Sequence, residues 1–360
     1  MIDIDKKALF LNLQTAIELE HSTIPPYLVA MFTINDKTNR FAVNVIRSVV
    51  MEEMLHMTLA CQVMNAVGGT PFIDHEKFIP EYPAKFVFKD REFDVGLIKF
   101  SEQSIETFLE IEKPEEIPLD VDGEHIDHLV AEIDLKQSTI GEFYAVIKKQ
   151  LIALVEKYGE ENVFNGNKEL QLQPGDYYGG GGRVIVVDSL ASALFAIDEI
   201  VEQGEGTNHS IYDGDAAYFG QDKEVAHYFR FNEIYKQQLY QECDTPKEDP
   251  TGDEVDVDYD AALDMVNDPR AEDFPEGSSA RIKADEFNQL YSQFLHILHQ
   301  TFNGNPTLMM KAVGMMYQMK YIGMALLNIK VPDKGDKVAG PTFEYIPPEL
   351  RIRFAWSVDI

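Results

Sequence analysis

The sequence predicts a mainly α-helical fold, a four-helix bundle with long loop and short-strand insertions and additional C-terminal helices. Apolar residues recur at intervals of three and four over several long stretches, which is the spacing of one face of an α-helix. Glycine and proline residues mark the breaks between most of these stretches. A short link joins the first two stretches, which makes them antiparallel neighbours.

Composition limits the kinds of partner that the chain can have. The 360 residues are 45% hydrophobic, which is ordinary for a soluble globular protein. Sixty-two acidic against 31 basic residues give a formal net charge of −31, which repels nucleic acid and anionic lipid, so neither is an expected partner. The N-terminus lacks the pattern of a signal peptide, and no apolar run approaches the ~20 residues that span a bilayer. We therefore expect a cytoplasmic protein.

The first two predicted helices, over residues about 6–34 and 38–67, form an antiparallel hairpin. Pro25 and Pro26 interrupt the first helix and are expected to kink it or to free carbonyl groups near residues 21 and 22. Gly68-Gly69 ends the second helix. This hairpin is the start of the bundle.

The rest of the chain completes a bundle over residues 1–243, with excursions at about 70–124 and 159–187. Residues 85–88 in the first excursion alternate like a short strand. An acidic loop is predicted over 244–282, followed by a helical hairpin and tail over 283–360 that pack on the bundle. The further helices are predicted at about 125–158, 188–204, 222–242, 283–303 and 306–328.

The second helix carries the first chemical motif. Glu53 and His56 are three residues apart, so they share one helix face, and they lie on or beside its apolar stripe. A carboxylate and an imidazole that point into a core are costly unless they are paired or bind a metal. The Glu-x-x-His spacing lets one helix give two ligands to a dimetal site.

Acidic residues on two other helices are candidates for the same site. Glu20 continues the apolar stripe of the first helix, and it lies about 15 residues before the hairpin link, while Glu53 lies about 17 residues after it; at ~1.5 Å per residue the two carboxylates are level to within a turn. The third helix offers Glu142, beside its apolar stripe. Gly141 before it would let another helix approach closely.

The last ligand pair has two versions. Glu224 and His227 form a second Glu-x-x-His motif. Alternatively, Glu202 ends one half of an interrupted helix and pairs with His227 across an insertion of residues 205–222. We favour Glu202, because it lies where a long helix breaks, and such costly breaks often mark functional sites. Glu224 has a simpler explanation in the helix dipole.

These residues lie in segments that resemble the bacterial ferritin-like proteins related to iminophenyl-pyruvate dimer synthase, an enzyme type of violacein- and rebeccamycin-like pathways. The most specific match is the stretch Leu19-Glu20-His21-Ser22-Thr23-Ile24-Pro25-Pro26-Tyr27-Leu28. Further matches are the stretches at 52–56, 140–144, 202–206, 227–231 and 340–344. The resemblance implies a ferritin-like four-helix bundle that holds two transition-metal ions, iron or alternatively manganese or a mixed pair. The implied metal ligands are Glu20, Glu53, His56, Glu142, Glu202 and His227.

Three hypotheses on function follow. The first is a non-haem dimetal (di-iron) oxidoreductase of secondary metabolism acting on a small organic substrate, since carboxylates with two histidines suit such metals. Its candidate catalytic residues are Tyr144 and Arg230, the latter as partner of a substrate carboxylate. The second is an oxidative coupling enzyme of the dimer-synthase kind, with an aromatic or amino-acid-derived substrate. The third is a non-catalytic metal-binding or storage protein, against which the long excursions argue. A homodimer is compatible with the sequence.

Overall fold

The computed structural model describes residues 2–88, 91–114, 139–207, 210–220 and 223–351. Over these ranges the chain is mainly helical, which confirms the predicted class. A single hairpin of strands, β1 (Ala84–Phe88) and β2 (Arg91–Val95), accompanies the helices within the described residues. The helices are α1 (Ile2–Thr33), α2 (Arg40–Ala66), α3 (Glu102–Ile111), α4 (Ile140–Tyr158), α5 (Glu160–Val163), α6 (Leu190–Glu205), α7 (Asp215–Phe219), α8 (His227–Lys236), α9 (Ser279–Asn303) and α10 (Met309–Leu326).

Four of these helices form the bundle. Helix α1 packs on α2, α2 on α6, α6 on α4, and α4 back on α1, so the four helices enclose one core. The antiparallel hairpin of α1 and α2 was predicted, and its apolar stripe is fully buried at Ala16 and Ile17 of α1 and at Ile46 of α2. Helices α3 and α8 pack on each other, α3 also against α1, and α8 against α2 and α6.

Helix α1 continues through its two prolines. Pro26 has no N–H, so the carbonyl of Ser22, four residues earlier, loses its helical partner. The hydroxyl of Tyr82 donates to this carbonyl at 2.8 Å, which replaces the missing bond. The predicted free carbonyl is thus present, and a residue of the first excursion satisfies it.

The first excursion contains both a predicted and an unpredicted element. The strand predicted at 85–88 is β1, paired with β2 in an antiparallel register that sets Phe86 opposite Phe93. Helix α3 lies within residues 70–124, for which we predict only loop and strand from the sequence. It begins after Ser101, whose side chain accepts from the N–H of Ser104, and it buries Phe108 against Tyr27 at a ring distance of 4.4 Å.

One predicted helix lies partly outside the described residues, and another is shorter than predicted. Helix α4 begins at Ile140, and residues 125–138 of the predicted helix lie outside the described residues. Helix α8 spans His227–Lys236 instead of 222–242, and its first predicted residue also lies outside the described ranges. Val225 is extended, because it pairs with Tyr212 in a β-bridge, and Gln237 ends the helix with a φ of +56°.

The C-terminal helices α9 and α10 pack on each other, and they also contact α2 and α1, respectively. They confirm the helices predicted at 283–303 and 306–328. Between α8 and α9 the chain has two short 3-10 turns and residues that form isolated β-bridges, such as Gln238 with Glu254. Within the described ranges, none of the helices has the length and apolar character needed to cross a membrane. The predicted division into domains stays a prediction.

Candidate metal centre

Among the residues that the structure describes, two groups of buried carboxylate and imidazole side chains bring their donor atoms within 4.8 Å of one another. The first group is Glu20 on α1 with Glu53 and His56 on α2. His56 Nδ1 lies 3.4 Å from Glu20 Oε2 and 3.8 Å from Glu53 Oε1. The three side chains meet because Glu53 and His56 share a helix face that packs on α1.

The second group shares Glu53 and adds Glu112 and His227. His227 Nδ1 lies 3.0 Å from Glu53 Oε1 and 3.4 Å from Glu112 Oε2. Glu112 directly follows α3 and His227 opens α8, so the packing of these two helices forms this half of the site. The rings of His56 and His227 stack with centroids 5.3 Å apart.

Each of the three carboxylates accepts a hydrogen bond from a hydroxyl group through one oxygen and turns its other oxygen toward the histidines. A hydroxyl that donates to one oxygen fixes the carboxylate and leaves the second oxygen free to bind a cation. The hydroxyl pairs are Tyr144 with Glu20, Tyr27 with Glu112 at 2.5 Å, and Thr23 with Glu53 at 2.7 Å.

Both histidines are held from behind through their second nitrogen. His56 Nε2 lies 2.8 Å from Gln203 Oε1, and His227 Nε2 lies 2.8 Å from Glu52 Oε2. An imidazole that donates its Nε2–H to such an oxygen keeps Nδ1 available as a metal ligand. Both Nδ1 atoms face the carboxylates, and the Nδ1 of His227 has no well-oriented hydrogen-bond partner. The arrangement therefore fits a site for cations.

Burial and the neighbouring charges shift the pKa values of the side chains in the metal-free cluster. Burial, then the charges of Glu112 and Glu20, raise the pKa of Glu53 to about 7. Burial alone would lower the pKa of His227, but the carboxylates of Glu112, Glu52 and Glu53 outweigh it and raise that pKa well above its usual value. Burial would also lower the pKa of His56, but the carboxylates of Glu20 and Glu53 outweigh it and raise this pKa. The metal-free cluster thus retains protons that a cation would displace.

A small cavity opens onto the carboxylates. Its volume is about 30 Å³, and Glu20, Glu53 and Glu112 are among the residues that line it. The residues that complete its wall are Leu19, Thr23, Ile111, Ile140, Ile200, Val201, Gly204 and Glu205. A molecule in this cavity would meet the centre from the carboxylate side.

Two of the residues implied as ligands lie outside both groups. Glu142 caps α4, because its carboxylate accepts from the N–H of Thr139 at 3.1 Å while the Thr139 hydroxyl accepts from the N–H of Glu142. Glu202 lies on α6, one turn after Glu199. Burial raises the pKa of Glu199 to about 9, together with the charges of neighbouring acids, one of which is Glu202. Glu112, which sequence reasoning missed, provides the carboxylate that completes the second group.

The alternative ligand Glu224 is also outside the groups. Its side chain is 55% exposed and pairs with Arg230 at 3.2 Å. Arg230 was a candidate partner for a substrate carboxylate, but it is buried and already contacts Glu52 at 2.7 Å and Asp213 at 3.3 Å. Burial alone would raise the pKa of Glu52, but the charges and hydrogen bonds of Arg230 and His227 outweigh burial and lower this pKa to about 2. Arg230 therefore orients the residue behind His227.

Comparison with known proteins identifies the family to which this bundle belongs. A family model described as Ferritin-like matches residues 13–236, more than half of the chain, so the chain belongs to this family. The predicted fold and family are thereby confirmed. The crystal structure of a ferritin-like protein from Caulobacter vibrioides is similar, with a TM-score of 0.59 at 22% identity over 93% of this chain and 97% of that one.

The chain is also similar to a biosynthetic enzyme. It is 26% identical over 322 residues to dichlorochromopyrrolate synthase from Lentzea aerocolonigenes. The match covers 82% of this chain but only 29% of the synthase, so the chain spans less than a third of that relative's length.

Stabilisation by a bound cation is expected to increase with pH. The pKa of Glu53 rises from 4.5 to about 7 on folding, so the metal-free protein loses stability as the pH rises through this window. The raised pKa values of both histidines act in the same direction, above their usual 6.5. A cation replaces these protons, so the rise in melting temperature on adding Mn²⁺ should be larger at about pH 8 than at about pH 5.5. An equal or smaller rise at the higher pH would contradict this.

Proposed function

We propose that this chain is a non-haem dimetal carboxylate protein, an oxidoreductase that acts on a small organic substrate. The proposed ligands are Glu20, Glu53, His56, Glu112 and His227. One observation carries the proposal: two buried donor groups, each with a histidine and a carboxylate of its own, share the carboxylate of Glu53. A carboxylate common to two groups is suited to bridging two ions.

The donor set favours particular metals. Carboxylates with two imidazoles and no thiolate suit iron, with manganese or a mixed pair as the alternatives. Two such ions, when bound, would activate dioxygen or peroxide for oxidation of the substrate. The chain's own contribution is to fix the ligands: Tyr27, Thr23 and Tyr144 each hold one carboxylate in place. Of the two candidate catalytic residues, Tyr144 is the one beside the centre.

The cavity limits what can reach the carboxylates. A space of about 30 Å³ admits one or two water-sized molecules, whereas pockets for organic ligands are usually ~300 Å³ or more. Dioxygen and peroxide are of the size that fits, and the apolar side chains of Leu19, Ile111 and Ile200 favour an uncharged oxidant. We infer that an organic substrate does not fit this cavity, as the described residues shape it, unless the cavity wall moves.

Metal analysis combined with oxygen uptake tests the proposal. Protein stripped of metal should bind two Fe²⁺ per chain without oxygen and should then consume dioxygen faster than free Fe²⁺ does. The matched control is the double variant Glu53→Ala with His56→Ala, which should bind neither ion. Less than about half an equivalent of any transition metal, with no binding on adding iron, would refute the proposal.

A second candidate function is a synthase that couples aromatic or amino-acid-derived molecules oxidatively. The observation that favours it is the match to dichlorochromopyrrolate synthase over 82% of this chain. A storage role is the remaining alternative, and iron loading separates it from both enzymes. An enzyme centre should saturate at two ions per chain, whereas a storage protein would continue to take up iron.

A further inference from the structure

The two donor groups are nearly equivalent in their inner residues. Each has one histidine that presents Nδ1, one carboxylate of its own, and a share in Glu53. The carboxylates Glu20 and Glu112 each accept a hydrogen bond from a tyrosine hydroxyl. A difference in the affinity of the two metal positions must therefore arise further out.

The clearest difference lies behind the two histidines. The Nε2 of His227 donates to a carboxylate, Glu52, and the Nε2 of His56 donates to a neutral amide, Gln203. Arg230 pairs at 2.7 Å with Glu52 Oε1, while His227 uses Oε2, so the two donors take different oxygens of an ionised carboxylate. Arg230 reduces the charge that His227 experiences, but it does not replace the carboxylate as the acceptor.

The orientation of the Gln203 amide is fixed by its surroundings. Its Nε2 lies 3.1 Å from Asp215 Oδ2 and 3.3 Å from both Glu199 Oε1 and the carbonyl oxygen of Gly181. All three are oxygen atoms that can accept from the NH₂ group, so the amide oxygen must face His56. The acceptor behind His56 is consequently neutral.

We propose that the two metal positions are inequivalent, and that the position formed by His227, Glu112 and Glu53 binds its ion first and more tightly. A carboxylate that accepts the outer N–H of a histidine makes the opposite nitrogen a stronger ligand than a neutral amide does. The inference rests on the proposed dimetal function and adds an order of filling to it. Such an order is a route by which one chain can take up two different metals.

Stepwise titration of the metal-free protein with Co²⁺ tests this order, with bound Co²⁺ followed by its visible absorption. Two binding steps separated by a factor of about 10–100 in affinity are expected, which is the usual effect of an outer partner. His56→Ala should keep the tight step, and His227→Ala should keep only the weak one. A tight ion retained in His227→Ala, or two equal steps in the unaltered protein, would overturn the inference.

Glu52→Gln provides the second test, because it makes the outer partner of both histidines an amide. The first step should weaken about 10–100-fold and approach the second. The control is Glu224→Gln, which should leave both binding steps unchanged. Glu224 also pairs with Arg230, at 3.2 Å, but its side chain is 55% exposed and lies outside both donor groups. An unchanged first step in Glu52→Gln would contradict the inference. No Co²⁺ binding in the unaltered protein would instead refute the dimetal proposal, so the two failures can be told apart.

Discussion

Glu53→Gln is expected to lose both metal ions, whereas Glu20→Gln should lose one. Glu53 is common to both donor groups, while Glu20 belongs to the first alone. A carboxamide is a weak ligand for these metals and carries no charge to balance the cation. Changes in outer partners already weaken metal sites 10–100-fold, so loss of the shared carboxylate should cost about 100-fold or more at each position.

The measurement is metal content after loading and desalting, with the affinity of each step from titration. Glu18→Gln is the control, because Glu18 lies on α1 outside both groups and bonds to Gln14. It should bind two ions as the unaltered protein does. If Glu53→Gln retained one ion with unchanged affinity, Glu53 would not be shared, and the two groups would be independent.

The prediction around Glu20 and Glu53 depended on local sequence alone. Both residues lie on long periodic helices joined by a six-residue link, so counting residues from the link was enough to set their level. The same reasoning applies to His56, three residues after Glu53. Helical geometry carries such information over about 15 residues without any knowledge of the remaining fold.

Glu112 could not be placed in this way. It follows a ten-residue helix in a segment rich in proline, and its distance from Glu53 depends on how α3 packs against α1 and α8. A signal for the helix was present: Ser101 is a good N-cap, and Ile105, Phe108 and Ile111 recur at intervals of three. That pattern predicts a helix, but it does not say which carboxylate the packing will bury.

For Glu142 the local sequence supports two different predictions, a helix cap and a metal ligand. Thr139 and Glu142 form a Thr-x-x-Glu capping box, which stabilises the start of helix α4 by satisfying free backbone N–H groups of its first turn. A carboxylate used in this way has little freedom to turn toward the core. The capping pattern and the ligand pattern therefore make different predictions for the same residue.

The variants Glu112→Gln and Glu142→Gln make the same chemical change, and they distinguish a metal ligand from a helix cap. Glu112→Gln should lose the ion at His227, because Glu112 is the only carboxylate of that group not shared with the other. The amide oxygen can still accept from the Tyr27 hydroxyl, so the fold should be kept. Glu142→Gln should retain both ions, since glutamine replaces glutamate in a capping box, and its stability should change by less than about 0.5 kcal/mol.

The measurements are the metal content and the urea unfolding of both variants. They distinguish the two roles because losing a ligand and losing a cap have different effects. Loss of a ligand reduces the number of bound ions and removes the stabilisation that the ion provides, while the metal-free protein stays folded. Loss of a cap lowers the unfolding free energy with or without metal. If Glu142→Gln lost an ion and Glu112→Gln did not, the carboxylate implied by the family resemblance would be the ligand. Helix α4 would then have to release its cap when metal binds.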